Sequence, residues 1–216
     1  MKKLTSSFVL CLILIGYTAR AQDNGLSVSG TFMNRYIWRG NDYGNSPVVQ
    51  PAITFKYGWF QLGAWGSYAL TNQVSATEAD LWTSINITTN TTLILTDYYF
   101  PTEPGTEGSY FSKSSHTFEI GLIQSIKNFT LSAYYETNGN RTFYGEAKYT
   151  WKNTDFFVGT SGAKFDKLGE LVVTNIGIVH TKKVKISDHF DMPIMGAIIL
   201  NPHTEQIYLT FGFSIK

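Results

Sequence analysis

Apolar and small polar residues alternate with a period of two along most of this chain. The clearest stretch lies near its end, where Leu209, Phe211, Phe213 and Ile215 alternate with Tyr208, Thr210, Gly212 and Ser214. A two-residue period predicts strands with two unlike faces. Alternation and turn residues place strands near 26 to 38, 47 to 57, 59 to 70, 79 to 88, 92 to 100, 116 to 126, 129 to 138, 142 to 151, 155 to 163, 170 to 181, 191 to 200 and 205 to 215. Twelve such strands predict an all-β chain folded as a transmembrane up-and-down antiparallel β-barrel.

An even strand count brings both termini to one side, the periplasm in an outer-membrane barrel. The short connections at Gly58, Thr89 to Thr91, Lys127-Asn128 and Lys152 to Thr154 then form the periplasmic turns. Those at 39 to 46, 71 to 78, 101 to 115, 139 to 141 and 164 to 169 are mostly longer and become outer loops. The last pair breaks this rhythm. Lys182 to Phe190 is long for a turn and Asn201 to Thr204 short for an outer loop, so ten or fourteen strands stay open.

Parity assigns the faces. Phe60, Leu62, Ala64, Tyr68 and Leu70, then Phe118, Ile120 and Leu122, then Phe129, Leu131, Ala133 and Tyr135 are expected to meet lipid. The opposite parity collects Gln61, Ser67, Glu119, Thr130, Ser132 and Glu136, which suit an aqueous interior because a carboxylate against lipid is costly. Aromatics at strand ends predict two interfacial girdles. One holds Tyr57, Trp59, Phe60, Phe129, Tyr149, Trp151 and Phe156, the other Tyr36, Trp38, Tyr68, Tyr98 and Phe100. A soluble periplasmic sandwich or lipocalin-like barrel would turn the apolar parity inward instead, and the small polar residues and charges of the other parity fill such a design poorly.

Residues 1 to 21 carry a different signal. Lys2 and Lys3 precede the apolar run Phe8 to Gly16, and Ala19-Arg20-Ala21 supplies an A-x-A cleavage site, which together describe a cleavable export peptide. Residues 22 to 216 then form one barrel domain. Cys11 suits a lipoprotein poorly, because Leu10 stands where a small residue is needed. Cleavage removes Lys2, Lys3 and Arg20, so Lys plus Arg falls from 17 to 14 against 16 acids and the formal charge moves from +1 to −2. Nothing basic enough for nucleic acid remains. The only Cys leaves with the signal, which excludes disulfides and thiolate metal sites from the mature chain. No later segment is apolar for 18 residues, so no transmembrane helix is expected.

Residues 29 to 70 contain the most distinctive text: Asn34-Arg35-Tyr36-Ile37-Trp38-Arg39-Gly40, Ser46-Pro47, Gln50-Pro51 and Gly63-Ala64-Trp65-Gly66-Ser67, with Asp80 opening the next strand. This stretch resembles the TorF-type porin family of Gram-negative outer membranes. The shared features are an aromatic-Arg-Gly strand end, a Pro before the second strand, a Gly-x-Trp-x-Ser third strand and an acidic residue on the fourth. The family's second strand usually carries more Gly than Val49-Gln50-Pro51-Ala52. The resemblance covers about the first third of the mature chain and implies a barrel with a porin role, without catalytic residues or cofactors. Expected partners are outer-membrane lipid, lipopolysaccharide and small hydrophilic solutes.

Two other function classes are compatible with a barrel. A rim-sited hydrolase needs a His with a Ser or Asp partner, and His116 beside Ser114 and Ser115, near Glu119, is the only local constellation of that kind. His180, His189 and His203 are scattered at strand ends without metal-ligand spacing. A structural or adhesive barrel would plug its lumen with its own side chains and bind partners through residues 101 to 115, rich in Pro, Gly and Glu. For the channel reading, the lumen or constriction residues are Arg35 and Arg39 on the first strand, facing Asp80, Asp97, Glu119 and Glu136 on the fourth to seventh. Opposed charges of this kind either set up a transverse field in an aqueous constriction or pair and fill it.

Overall fold

A computed structural model describes residues 24 to 71, 77 to 101, 110 to 112, 115 to 164 and 170 to 216. The export peptide, most of the 101 to 115 loop including Ser114, and much of the loops at 71 to 78 and 164 to 169 lie outside the described residues. Twelve strands close into one antiparallel barrel: β1 (Gly25–Met33), β4 (Val48–Tyr57), β5 (Phe60–Ala69), β6 (Glu78–Asn86), β7 (Thr91–Tyr99), β8 (His116–Ile126), β9 (Phe129–Glu136), β10 (Thr142–Trp151), β11 (Thr154–Lys164), β12 (Val172–Ser187), β13 (Phe190–Asn201) and β14 (Gln206–Ile215). The remaining two, β2 (Ile37–Trp38) and β3 (Asn41–Asp42), pair only with each other. Each barrel strand neighbours its successor, and β14 closes on β1 with Thr31 opposite Ser214.

The strand rhythm read from the sequence is the observed one, with two corrections. Residues 182 to 190 are not a long turn. β12 and β13 continue as a paired hairpin to Ser187 and Phe190, past the last β11 partner at His180, and this fixes the count at twelve. The second correction is that the first strand stops at Met33, five residues short of Trp38. The Asn34 side chain takes over the ladder: its Oδ1 accepts from the Phe211 amide at 2.8 Å and its Nδ2 donates to the Leu209 carbonyl at 3.2 Å, while its own amide donates to the Phe211 carbonyl at 3.0 Å. An Asn that satisfies the next strand through its side chain frees the main chain to leave the sheet. The chain then turns inward.

Parity sorts the side chains. Outward positions expose Leu26, Val28, Leu62, Leu81, Leu95, Phe118, Leu122, Leu131, Ile198, Leu209 and Phe211 to the surroundings. This is the reverse of a lipocalin-like design, whose apolar parity fills the interior. At the end with the tight turns, Tyr57, Trp59, Phe129, Tyr149, Trp151 and Phe156 are exposed as one aromatic belt. The second expected belt does not form: of its members only Tyr68 is exposed outward, and Tyr36, Trp38, Tyr98 and Phe100 belong instead to an interior ring cluster with Tyr43 and Trp65. Other inward rings lie flat on the wall. Trp82, Tyr134, Tyr144 and Phe157 cover Gly63, Gly121, Gly159 and Gly177 so closely that a Cβ on any of these glycines would stand 2.2 to 2.4 Å from the nearest side-chain atom of its neighbour.

Candidate functional site: an inturned hairpin in the barrel lumen

Residues 34 to 47 fold into the barrel from the end opposite the tight turns. Ile37 pairs with Asp42 and Trp38 with Asn41, leaving Arg39 and Gly40 as a two-residue turn. Both have positive φ, 52° and 80°, which is the type I′ geometry that matches strand twist in a tight hairpin. Gly40 is required twice over. Its φ favours glycine, and a Cβ there would sit 1.7 Å from the Thr174 carbonyl oxygen on β12.

The tip reaches across the lumen to the far wall. Arg39 Nη1 donates to Glu119 Oε2 at 2.7 Å and Nη2 to Glu119 Oε1 at 2.9 Å, a two-point pair with both side chains largely buried. Its guanidinium also lies 4.3 to 4.9 Å from the ring centres of Trp38, Tyr134 and Tyr144, an aromatic cage suited to a delocalised cation. Tyr98 donates its hydroxyl to Glu119 Oε1 at 2.8 Å. The sides of the hairpin are tied as well. Tyr36 donates to Glu78 Oε2 at 2.8 Å on β6, and Asn201 on β13 donates to the Gly40 carbonyl at 3.0 Å. Arg35 stays within the segment, paired with Asp42 at 2.9 Å and with Asn45, and its guanidinium approaches the Tyr208 ring.

Each expected lumen residue therefore has a definite place. Arg39, Asp80 and Glu119 converge inside the barrel. Glu136 also points inward, directly across the strand pair from Glu119. Arg35 lies on the hairpin rather than on the first strand, with its charge met locally by Asp42. Asp97 is corrected outright. It shares the parity of the exposed Leu95 and sits between Leu81 and Phe118, so it faces outward. Two adjacent polar residues, Thr96 and Asp97, make the phase of this strand ambiguous from sequence, and it is Thr96 that takes the inward parity. The opposed charged walls expected from the sequence are bridged by direct pairing of Arg39 with Glu119.

Asp97 meets His116 on that outer face, Oδ1 to Nδ1 at 2.8 Å. His116 Nε2 faces the Tyr110 carbonyl oxygen, so both ring nitrogens are directed at acceptors. A carbonyl can only accept, so Nε2 carries its hydrogen there, while Nδ1 is engaged by the Asp97 carboxylate rather than by a serine hydroxyl. Among the described residues no group of three or more His, Cys, Asp or Glu side chains converges as a metal centre.

Sequence reasoning missed two inward residues that the hairpin uses. Glu78 falls one residue before the strand that alternation predicts at 79 to 88, and Asn201 falls in the predicted loop of 201 to 204. The signals were present in Arg39-Gly40 followed by Asn41-Asp42 and Gly44-Asn45, a density of turn formers too high for a strand end. On the turn-end side of the hairpin two cavities adjoin each other through Ile37, Val179 and Ile199. One, about 360 Å³, is lined by Met33, Tyr36, Trp65 and Met195, and the other, about 310 Å³, by Arg39, Glu146, Lys148 and Asp155.

The closed twelve-strand barrel, with an apolar exterior and an interior in which charged and polar side chains lie beside apolar clusters, defines the architectural class of the protein. No protein-family model and no curated protein sequence matches the chain.

Proposed function

We propose that the protein is an outer-membrane barrel of Gram-negative type that passes small hydrophilic solutes, with the inturned hairpin as its constriction. The observation that carries this reading is the division of parity. Every barrel strand presents apolar residues outward while hydroxyls, amides and charges such as Ser67, Glu119, Ser132, Lys148 and Asp155 point inward, the distribution a lipid exterior and an aqueous interior select. The export peptide read in residues 1 to 21 and the resemblance of residues 29 to 70 to TorF-type porins point to the same compartment and role.

A second reading, a structural barrel with a filled lumen, is favoured by one feature: the hairpin is bonded to β6, β8 and β13 and lies close against β12 at once. Planar-bilayer recording of the purified protein separates the two. A small conductance in the wild type that rises when residues 35 to 45 are replaced by a short Gly-Ser linker supports a constricted channel. Silence from both proteins, with folding shown by heat-modifiable gel mobility, overturns the porin reading.

A further inference from the structure

The inner wall beside the hairpin holds more negative charge than the Arg39 guanidinium answers, while Arg35 is paired with Asp42 within the hairpin. Glu78 and Asp80 stand two residues apart on β6 with both side chains inward, 1% and 7% exposed, and their carboxyl groups lie within hydrogen-bonding reach of each other. Tyr36 serves Glu78 Oε2, but Glu78 Oε1 and Asp80 Oδ1 have no hydrogen-bond partner. Arg39 is committed through both terminal nitrogens to Glu119. Arg39 acts on Glu78 only at a distance, and two buried carboxylates side by side with no cation in direct contact are strongly unfavourable, so something positive belongs between them. A separate observation comes from β5. Ser67, the cross-strand partner of Glu78, points inward, is 0% exposed, and its Oγ is also without a partner. Three orphaned oxygens from two strands thus share one patch.

We propose that Ser67, Glu78 and Asp80 form a binding site for a hard divalent cation, with Ca²⁺ the best match. The donors are two carboxylates and a hydroxyl, with no nitrogen or sulfur, which selects alkaline-earth ions over softer metals. One divalent ion matches the charge of both carboxylates, and its large, flexible coordination sphere accepts a hydroxyl and lumen water as further ligands. A single shared proton is the competing occupant. It would neutralise one charge of the pair and leave the Ser67 hydroxyl unanswered. The site needs no conduction and stands whether or not the lumen is open.

Tb³⁺ provides the probe, because Tyr36 touches Glu78 and Trp65 is the cross-strand partner of Asp80, so both rings are placed to sensitise its emission. Protein refolded in detergent without lipopolysaccharide and stripped with a chelator is titrated with Tb³⁺ under aromatic excitation. The site predicts saturable emission that Ca²⁺ displaces, with affinity falling tenfold or more in Asp80→Asn and in Glu78→Gln, and by less in Ser67→Ala. Heat-modifiable mobility confirms that each variant is folded, and the two single carboxylate variants serve as alternatives should one fail to fold. Emission that is absent, that Ca²⁺ does not displace, or that is unchanged in the folded carboxylate variants overturns the cation site and leaves the proton as occupant.

Discussion

Arg39 on the hairpin tip and Glu119 on β8 are 80 residues apart in sequence and joined by two hydrogen bonds inside the barrel, at 2.7 and 2.9 Å. The pair is the point at which the inturned segment meets the far wall. Removing one partner leaves the other charge buried and unanswered, a loss of about 3 to 5 kcal/mol, whereas removing both costs less. Arg39→Met and Glu119→Gln should each lower the unfolding midpoint in urea, and the double variant should recover part of the loss. The same single variants should raise bilayer conductance, because the tip loses its anchor. Unchanged midpoints would mean that the pair carries no stability.

Gly40 gives a test of how the hairpin is seated. A methyl group there would overlap the Thr174 carbonyl, and the backbone conformation adds strain of about 1 kcal/mol for alanine. Gly40→Ala should release the tip and raise conductance while the barrel still folds. Gly30→Ala is the control, since a Cβ at Gly30 meets nothing within 4 Å. Equal conductance in the two variants would show that the tip does not set the constriction.

The facing assignment can be checked at two consecutive residues of β9. Leu131 is 49% exposed on the outer face, and Ser132 points inward. Leu131→Arg should cost about 2 to 4 kcal/mol of folding free energy in a bilayer, while an inward arginine at Ser132 stays hydrated and costs little. Folding titrations into lipid vesicles measure both. Similar penalties at the two positions would refute the parity.

The Asp97–His116 pair bears on the hydrolase alternative. Both ring nitrogens of His116 face acceptors, Nδ1 the Asp97 carboxylate and Nε2 the Tyr110 carbonyl, and neither faces a serine hydroxyl. Purified wild type and His116→Ala should show the same background rate on short-chain and long-chain acyl esters. An ester hydrolysis rate that His116→Ala abolishes would support the enzyme reading instead.

The barrel was legible in the sequence because its two solvents write themselves at alternate positions. Leu209 to Ile215 shows this most cleanly, and one such strand after another gave the correct strand number. The interior was less legible. Arg39 and Glu119 carry opposite charges at inward positions, but alternation says nothing about whether an inward residue stays on the wall or rides on a segment that leaves it. Trp38 and Tyr36 looked like a belt for the same reason, since an aromatic residue at a strand end suits either a membrane interface or a packed lumen. What decides between them is Asn34, whose side chain completes the ladder and lets the main chain depart, and only the assembled register with Phe211 makes that visible.

The revised charge arrangement changes what ion selectivity should report. Arg39 is bound to Glu119 and Arg35 to Asp42, so the arginines do not present free charge to a passing ion. Glu136 and Glu146 remain on the inner wall, the latter accepting from Tyr144 and Asn175, while Asp97 lies outside the barrel. Inward carboxylates between low-dielectric walls concentrate cations in the water they enclose. Glu136→Gln plus Glu146→Gln should therefore lower cation selectivity in a conducting protein. The outward Asp97→Asn should leave it unchanged, because its field reaches the lumen only through the wall. Reversal potentials under a tenfold salt gradient measure both, preferably in the hairpin-replaced background where currents are larger. A shift from Asp97→Asn as large as that from the inward pair would show that the outward placement of Asp97 does not govern its effect.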